Sequence, residues 1–242
     1  MRLIQLLSVV VPALLSPFSA LADSLNTKAE YAYIMDAGTG LTLYSKRGEE
    51  PMVPASMTKI MTAHMVFDLL RQGRLSLDDE FVVSEKAWRE GGTTSGGSTM
   101  FLEVGSKVRV EDLLRGVIIQ SGNDACIVLA EGISGSEDAF AASMTQRAHE
   151  LGLTSAHFKN STGLYDPEHV ISAADLAKLA YLTINEFPEF YKLYAETEFT
   201  WNAIRQPNRI PLLGEVEGAD GLKTGHLEIS GFGLSRTKSA RG

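Results

Sequence analysis

The stretch Pro54-Ala55-Ser56-Met57-Thr58-Lys59-Ile60-Met61-Thr62 decides how this chain is read. Pro51 and Pro54 punctuate the loop before it, and an apolar-rich run continues to Leu70, ahead of Gly73. Ser56 at the mouth and Gly73 past the end are the start and stop signals of a helix. Such a helix puts Ser56 and Lys59, three positions apart, on one face. The hydroxyl then lies near the positive end of the helix dipole, where a developing alkoxide is favoured. The lysine can serve as its base only if burial or nearby positive charge leaves it neutral.

Outward from that helix the chain alternates between turn chemistry and apolar periodicity. Tyr31 to Met35 alternates, Asp36 to Gly40 is turn-forming, and Leu41 to Tyr44 alternates again, which predicts a β-hairpin. Helices are expected over Val110–Gln120, with Glu111 and Asp112 in the first turn, and over Asp124–Ile133. Two more are expected over Ala139–Leu151, closed by Gly152, and over Ser172–Ile184. Gly91 to Thr99 is a polar loop, and from Leu212 onward the pattern becomes short Gly-punctuated strands. Hairpin, then helices, then strands predicts an α+β fold. Its sheet takes strands from both ends of the chain and carries a large helical insertion.

The 242 residues suffice for one large domain or two small ones, and the net charge of −8 argues against a nucleic-acid partner. Arg2, the apolar run Leu3–Leu15 and Ala20-Leu21-Ala22 read as a signal peptide over residues 1–22, with Asp23 as the mature start. Export leaves the lone Cys126 without a disulfide partner, so it reads as a small core hydrophobe. Arg236, Lys238 and Arg241 read as a solvated basic tail.

Three short motifs carry chemistry: Ser56-Met57-Thr58-Lys59, Ser121-Gly122-Asn123 and Lys223-Thr224-Gly225. Singly each is cheap, since Ser235/Lys238 and Ser24-Leu25-Asn26 repeat the first two patterns without a suitable element around them. Their joint order, each on a plausible element, is informative.

Together with Gly96-Gly97-Ser98-Thr99-Met100-Phe101, Asn160-Ser161-Thr162-Gly163-Leu164, Asp166-Pro167-Glu168-His169 and Gln206-Pro207-Asn208-Arg209, these motifs resemble the low-molecular-weight D-alanyl-D-alanine carboxypeptidases, a family of penicillin-binding proteins. The likeness runs from about Ala29 to Gly233. It implies a β-lactamase/transpeptidase-like fold with an antiparallel sheet flanked by helices. It further implies that Ser56 attacks the carbonyl between two D-alanines, that Lys59 takes its proton, and that Ser121 and Lys223 relay a proton to the leaving amine. Asn123 would bind the substrate amide, and the Ser56 and His226 N–H groups would form the oxyanion hole, with Gly225 between them and Thr224 on the strand. Thr224 and Arg209 would hold the terminal carboxylate, although the spacing from Arg209 to Lys223 is one residue off the family pattern. No metal and no cofactor is implied. The partners are peptidoglycan stem peptides, with β-lactams as covalent inhibitors, in the periplasm or on the outer face of the inner membrane.

Other tempting residues read as structural. His64 lies within the nucleophile helix; His149, His157 and His169 lack metal-ligand spacing; Asp166 and Glu168 read as a solvated loop, Asp175 as a capping or packing residue, and Trp88 and Trp201 as core or rim. The resemblance also implies further strands, a helix, a β-rich domain and a membrane anchor after the Lys223 strand. Residues 235–242 turn polar and basic instead, so the sheet is expected to be incomplete, with the catalytic domain at 23–242 and weakened stability and activity. The competing readings are a D,D-endopeptidase of the same superfamily, a non-catalytic penicillin or peptidoglycan binder and, more distantly, a class A β-lactamase, which wants Ser-Asp-Asn in the middle motif.

Overall fold

A computed structural model describes residues 26–238. The leader 1–22, the start at Asp23 and the terminal Arg241 lie outside the described residues. The expected hairpin is present as β1 (Ala32–Met35) and β2 (Thr42–Lys46), antiparallel with Ala32 opposite Lys46. Then come β3 (Pro51–Met52), a 3₁₀ turn over Ala55–Thr58 and α1 (Lys59–Arg71). β4 (Glu80–Val82) pairs with β5 (Lys107–Arg109) and is followed by α2 (Val110–Arg115), α3 (Asn123–Ser134) and α4 (Glu137–Glu150). β6 (Ile171–Ser172) returns to pair with β3 and leads into α5 (Ala173–Glu186) and α6 (Pro188–Tyr191). β7 (Glu198–Trp201) and β8 (Ile204–Pro207) make a hairpin, and β9 (Ala219–Leu227) pairs with β10 (Gly231–Lys238).

The helices surround α1, which is buried on nearly every side: Ile60, Met61, Ala63, Val66 and Phe67 are fully enclosed. A helix enclosed in this way belongs to the centre of a domain. It stops where expected, because Gly73 takes a left-handed φ of 65°. There the Gly73 and Arg74 N–H groups close back on the Leu70 and Leu69 carbonyls. α3 packs against α4 and α2, with Asn123 to Ala130 continuously buried and Cys126 among them as a packed side chain. The caps of the later helices follow from sequence: the Ser136 Oγ accepts from the Ala139 N–H, and the Ser172 Oγ from the Asp175 N–H. The Asp175 carboxylate instead accepts from the Ser155 N–H and hydroxyl, tying α5 to the preceding loop.

Four details depart from expectation. The helix read over Val110–Gln120 is α-helical only to Arg115; Gly116–Gln120 widens into a π turn, ending at Ser121 with φ 66°. Ser56 is no cap: it lies inside the 3₁₀ turn, and Lys59 bonds its hydroxyl. Among the described residues no ladder joins the N-terminal hairpin to β9–β10, so the terminal strands stand as two antiparallel pairs. Residues 235–238 do not leave the strand, because backbone pairing carries it on: Ser235 faces Lys223 and Arg236 faces Leu222. The Thr237 hydroxyl is taken up by Asp220 at 2.5 Å and by the Tyr191 phenol at 2.7 Å. Beyond β10 no further strand is paired among the described residues, leaving its outer edge open with Phe232 and Leu234 exposed.

Two buried histidines make the fold acid-sensitive. The Thr183 hydroxyl gives its one proton to the Leu179 carbonyl, so His64 Nδ1 must donate to Thr183, and its Nε2 is buried without a partner. Burial pushes both His64 and His169 down to about 4. An unfolded histidine titrates near 6.5, so between about pH 6.5 and 4 the unfolded chain binds protons that the folded one refuses. Stability is therefore full above that window and falls as the pH drops through it. Thermal melts stepped from pH 7 to pH 4 are expected to show Tm falling across the window, with a shallower fall in His64→Leu. A level Tm in the wild-type chain would contradict this assignment.

Candidate active site

The site begins at a strained turn. Ala55 sits at φ 50°, a left-handed value unusual for a residue with a Cβ, and it delivers Ser56 to the mouth of the 3₁₀ turn. Two glycines let neighbouring chains approach this turn. A Cβ on Gly163 would fall 1.9 Å from the Ala55 carbonyl oxygen, and one on Gly225 would fall 3.2 Å from the Ser56 nitrogen. The Ser56 N–H, at the head of the turn and α1, is therefore flanked by β9 on one side and by the 160–163 loop on the other.

One turn further on, the Lys59 side chain is almost completely buried, at 1% exposure. Its Nζ lies 3.0 Å from Ser56 Oγ, 2.8 Å from Asn123 Oδ1 and 2.6 Å from the Thr162 carbonyl oxygen. The last two partners can only accept. A neutral amine has two N–H bonds and one lone pair, so with both hydrogens given to Asn123 and Thr162 the lone pair is left for the Ser56 hydroxyl. Burial lowers the Lys59 pKa from the ordinary lysine value and the charge of Arg209 lowers it further, while Asp124 and Glu137 oppose. Cys126 also lies near, but burial pushes its thiol up to about 12, so it is uncharged at neutral pH.

Thr162 is held by a turn built around Asn160, whose Oδ1 accepts from the Gly163 N–H at 2.7 Å, the Thr162 N–H and the Thr162 hydroxyl. His169 braces the same region. The Lys159 N–H donates to its Nδ1, so the proton sits on Nε2, which donates to Thr58 Oγ1 at 2.9 Å. His169 thus joins this loop to Thr58, two residues from Ser56. Asp166 and Glu168 line the exposed loop, where Glu168 pairs with Lys159.

The middle motif enters from the π turn. Its wide last turn and the left-handed Ser121 reverse the chain, so that Asn123 opens α3 facing Lys59. Ser121 Oγ is buried without a hydrogen-bond partner. A Cβ on Gly97 would lie 2.7 Å from Asn123 Nδ2, so this glycine keeps room beside the amide. The 97–102 segment is fastened by Asp124, whose carboxylate accepts from the Thr99 hydroxyl and from the N–H groups of Met100, Leu102 and Ala125. Sequence reasoning missed Asp124, although a lone carboxylate opening an apolar helix was a visible signal.

β9 supplies the rest. Lys223 is buried, its Nζ donating to the Thr224 carbonyl at 3.1 Å, and its pKa falls well below the lysine value through burial and repulsion from Lys59 and Arg209. Two mutually repelling buried ammonium groups favour a state with one of them neutral. Thr224 is half-buried on the same strand. His226 is exposed, its ring stacked on Phe232 with centroids 4.1 Å apart. Arg209 reaches the site despite its irregular spacing. Gln206 bonds the Met100 carbonyl and Asn208 the Glu196 carbonyl, which leaves Arg209 beside Gln120 at 3.4 Å. Its charge acts on both lysines. The arrangement thus combines an oriented serine, a neutralisable base, a second buried lysine and a guanidinium suited to a carboxylate. Among the described residues no cluster of metal-ligating side chains occurs.

The fold that carries this constellation is that of solved penicillin-binding proteins. The chain superposes on penicillin-binding protein 5 of Haemophilus influenzae with a TM-score of 0.84 at 38% identity, covering 88% of this chain and 62% of that one. It superposes on penicillin-binding protein D2 of Listeria monocytogenes, solved in an ampicillin-bound form, with a TM-score of 0.76 at 25% identity, covering 90% and 87%. The chain belongs to the S11 peptidase family, the D-alanyl-D-alanine carboxypeptidases, whose sequence profile matches residues 18–241. It is 42% identical over 203 residues to the D-alanyl-D-alanine carboxypeptidase DacC of Escherichia coli, a match covering 83% of this chain and 51% of DacC. The chain spans about half the length of the curated relatives it matches.

Asp124 offers a test of how the site wall is built. Asp124→Ala leaves the buried Met100 and Leu102 N–H groups without acceptors and is expected to cost about 3–5 kcal/mol. Urea unfolding should show the midpoint falling accordingly; an unchanged midpoint would mean that the 97–102 segment is held by other contacts.

Proposed function

We propose that this chain catalyses serine-type D-alanyl-D-alanine carboxypeptidase chemistry on peptidoglycan stem peptides. The observation that carries the reading is the aim of Lys59: two acceptor-only partners take its hydrogens and leave its lone pair to Ser56. Ser56 Oγ attacks the carbonyl carbon of the penultimate D-alanine as its proton passes to Lys59 Nζ. The oxyanion that forms is stabilised by the Ser56 and His226 N–H groups, with Gly225 providing the close approach between them. The C–N bond then breaks, and the proton taken up by Lys59 passes to the leaving D-alanine nitrogen by a relay through Ser121 and Lys223, which returns Lys59 to its neutral form. Water cleaves the resulting acyl-enzyme and restores the Ser56 hydroxyl. Asn123 Nδ2 binds the substrate amide, and Thr224 with Arg209 holds the terminal carboxylate.

β-Lactams fit the same reading, since their strained amide places a carbonyl and a carboxylate as the peptide does, and the ampicillin complex of the Listeria relative supports it in kind. The leader pattern of residues 1–22 supports action outside the inner membrane, where peptidoglycan is found.

Intact mass of the chain before and after incubation with a penicillin is expected to show one penicilloyl adduct, absent in Ser56→Ala. Lys59→Met should slow its formation by about 10²–10⁴-fold. D-Alanine release from a peptide ending in D-Ala-D-Ala distinguishes turnover from mere binding. Adduct without release would reduce the chain to a binder, and no adduct from folded protein would refute the proposal.

A further inference from the structure

The mechanism above asks one thing of Thr162, that its carbonyl stand where it can take a hydrogen from Lys59. The Asn160 turn gives the loop its internal shape but does not place it in the molecule. Placement falls to Ser161. Its carbonyl accepts from Thr62 Oγ1 on α1 at 2.7 Å, while its N–H and hydroxyl donate to Glu137 Oε1, on α4, at 3.1 and 2.7 Å. Glu137 is 6% exposed, and its other oxygen meets Lys86 Nζ at 3.1 Å. A carboxyl group this deeply enclosed needs hydrogen-bond partners of this kind. Neither Glu137 nor Lys86 belongs to any motif that the site absorbs.

We propose that Glu137 is a positioning residue for the general base, acting through Ser161 and Thr162 to fix where the Lys59 lone pair points. The inference rests on Lys59 being that base. Ser161 is gripped from two helices at once, so the Thr162 carbonyl moves only if one grip is released. Lys86 completes the device by neutralising Glu137 from the segment that leads into the 92–99 loop, coupling that wall of the site to the base. The charge of Glu137 also reaches Lys59 and favours its ammonium form. The other groups facing Lys59 are Asp124 and Cys126 from α3, Lys223 from β9, Arg209 from the loop after β8, and His169 from the loop before β6. Among them Glu137 is the one bonded to Ser161, the chain neighbour of the amine's acceptor Thr162.

Two effects of Glu137→Gln can then be read separately. Losing the negative charge and loosening the carbonyl both disfavour the ammonium form, so Lys59 should titrate at lower pH. Loosening the aim should also slow acylation even where the amine is fully neutral.

The experiment titrates the lysine side-chain resonances of the folded chain by NMR, with Lys59 assigned through Lys59→Arg, and measures the pH profile of acylation by a fluorescent penicillin. Glu137→Gln is expected to lower the Lys59 midpoint by about half a pH unit or more and to reduce the plateau acylation rate by about tenfold or more. Ser161→Ala keeps Glu137 charged and removes only the hydroxyl link, so it serves if Glu137→Gln does not fold. It should move both readouts in the same direction by less, and in the double variant the two rate losses should not multiply. A lower Tm with an unmoved midpoint and an unchanged plateau would overturn the inference, making Glu137 a stabilising residue only. If the wild-type chain forms no adduct, the acyl-transfer reading fails on its own account, while the Lys59 midpoint still decides whether Glu137 acts on that amine.

Discussion

Everything in this structure turns on a lysine amine taken out of water. Lys59 is enclosed, and what surrounds it is arranged to make its neutral form useful: one amide oxygen from α3, one carbonyl from the 160–163 loop, and one hydroxyl from its own helix. A buried ammonium is costly unless paired, and among the described residues no carboxylate touches this one directly; Asp124 and Glu137 act on it from the surrounding helices. The fold thus leaves the amine without a contact ion pair, which would hold the proton on it. Lys223 and Arg209 add positive charge to the same enclosure. Such a site opposes the stability of the domain that carries it, and the long buried faces of α1 and α3 are what offset the cost.

The carboxylates are placed with the same logic. Asp124 and Glu137 each accept from backbone N–H and hydroxyl groups, and each fastens a loop that lines the site. Because these donors, and not Lys59, are their bonded partners, they build the walls of a lysine site without a contact ion pair to it. The glycines complement them. Gly163 and Gly225 stand where a single Cβ would push the loop or β9 away from the nucleophile turn.

Much of this was legible in the residues. Ser56 and Lys59 could be paired because helical spacing fixes their common face, and Gly73 and Gly152 ended their helices because only a left-handed residue closes those carbonyls. The N-terminal hairpin and four helices stood within a few residues of where periodicity placed them. What was not legible was mostly backbone. The Thr162 carbonyl has no residue-type signature, since any amino acid offers one. The π turn at Gly116–Gln120 differs from α-helix by one residue of register, which composition does not encode. The polar stretch in β10 misled because side-chain apolarity was taken as the mark of a strand, whereas here the ladder to β9 and the bonds to Thr237 sustain it. The short pairs β3–β6 and β4–β5 are too brief to leave a period.

The site gathers residues from 56–59, 121–123, 160–163, 209 and 223–226, segments strung along most of the described chain. Each junction closes a long loop, and long closures are the slow and entropically expensive part of reaching a native topology. Helical signal can therefore return during refolding well before Asn123 and Thr162 reach Lys59. Those two contacts are a stricter gauge of nativeness than circular dichroism, since they form only in molecules in which the distant segments have docked.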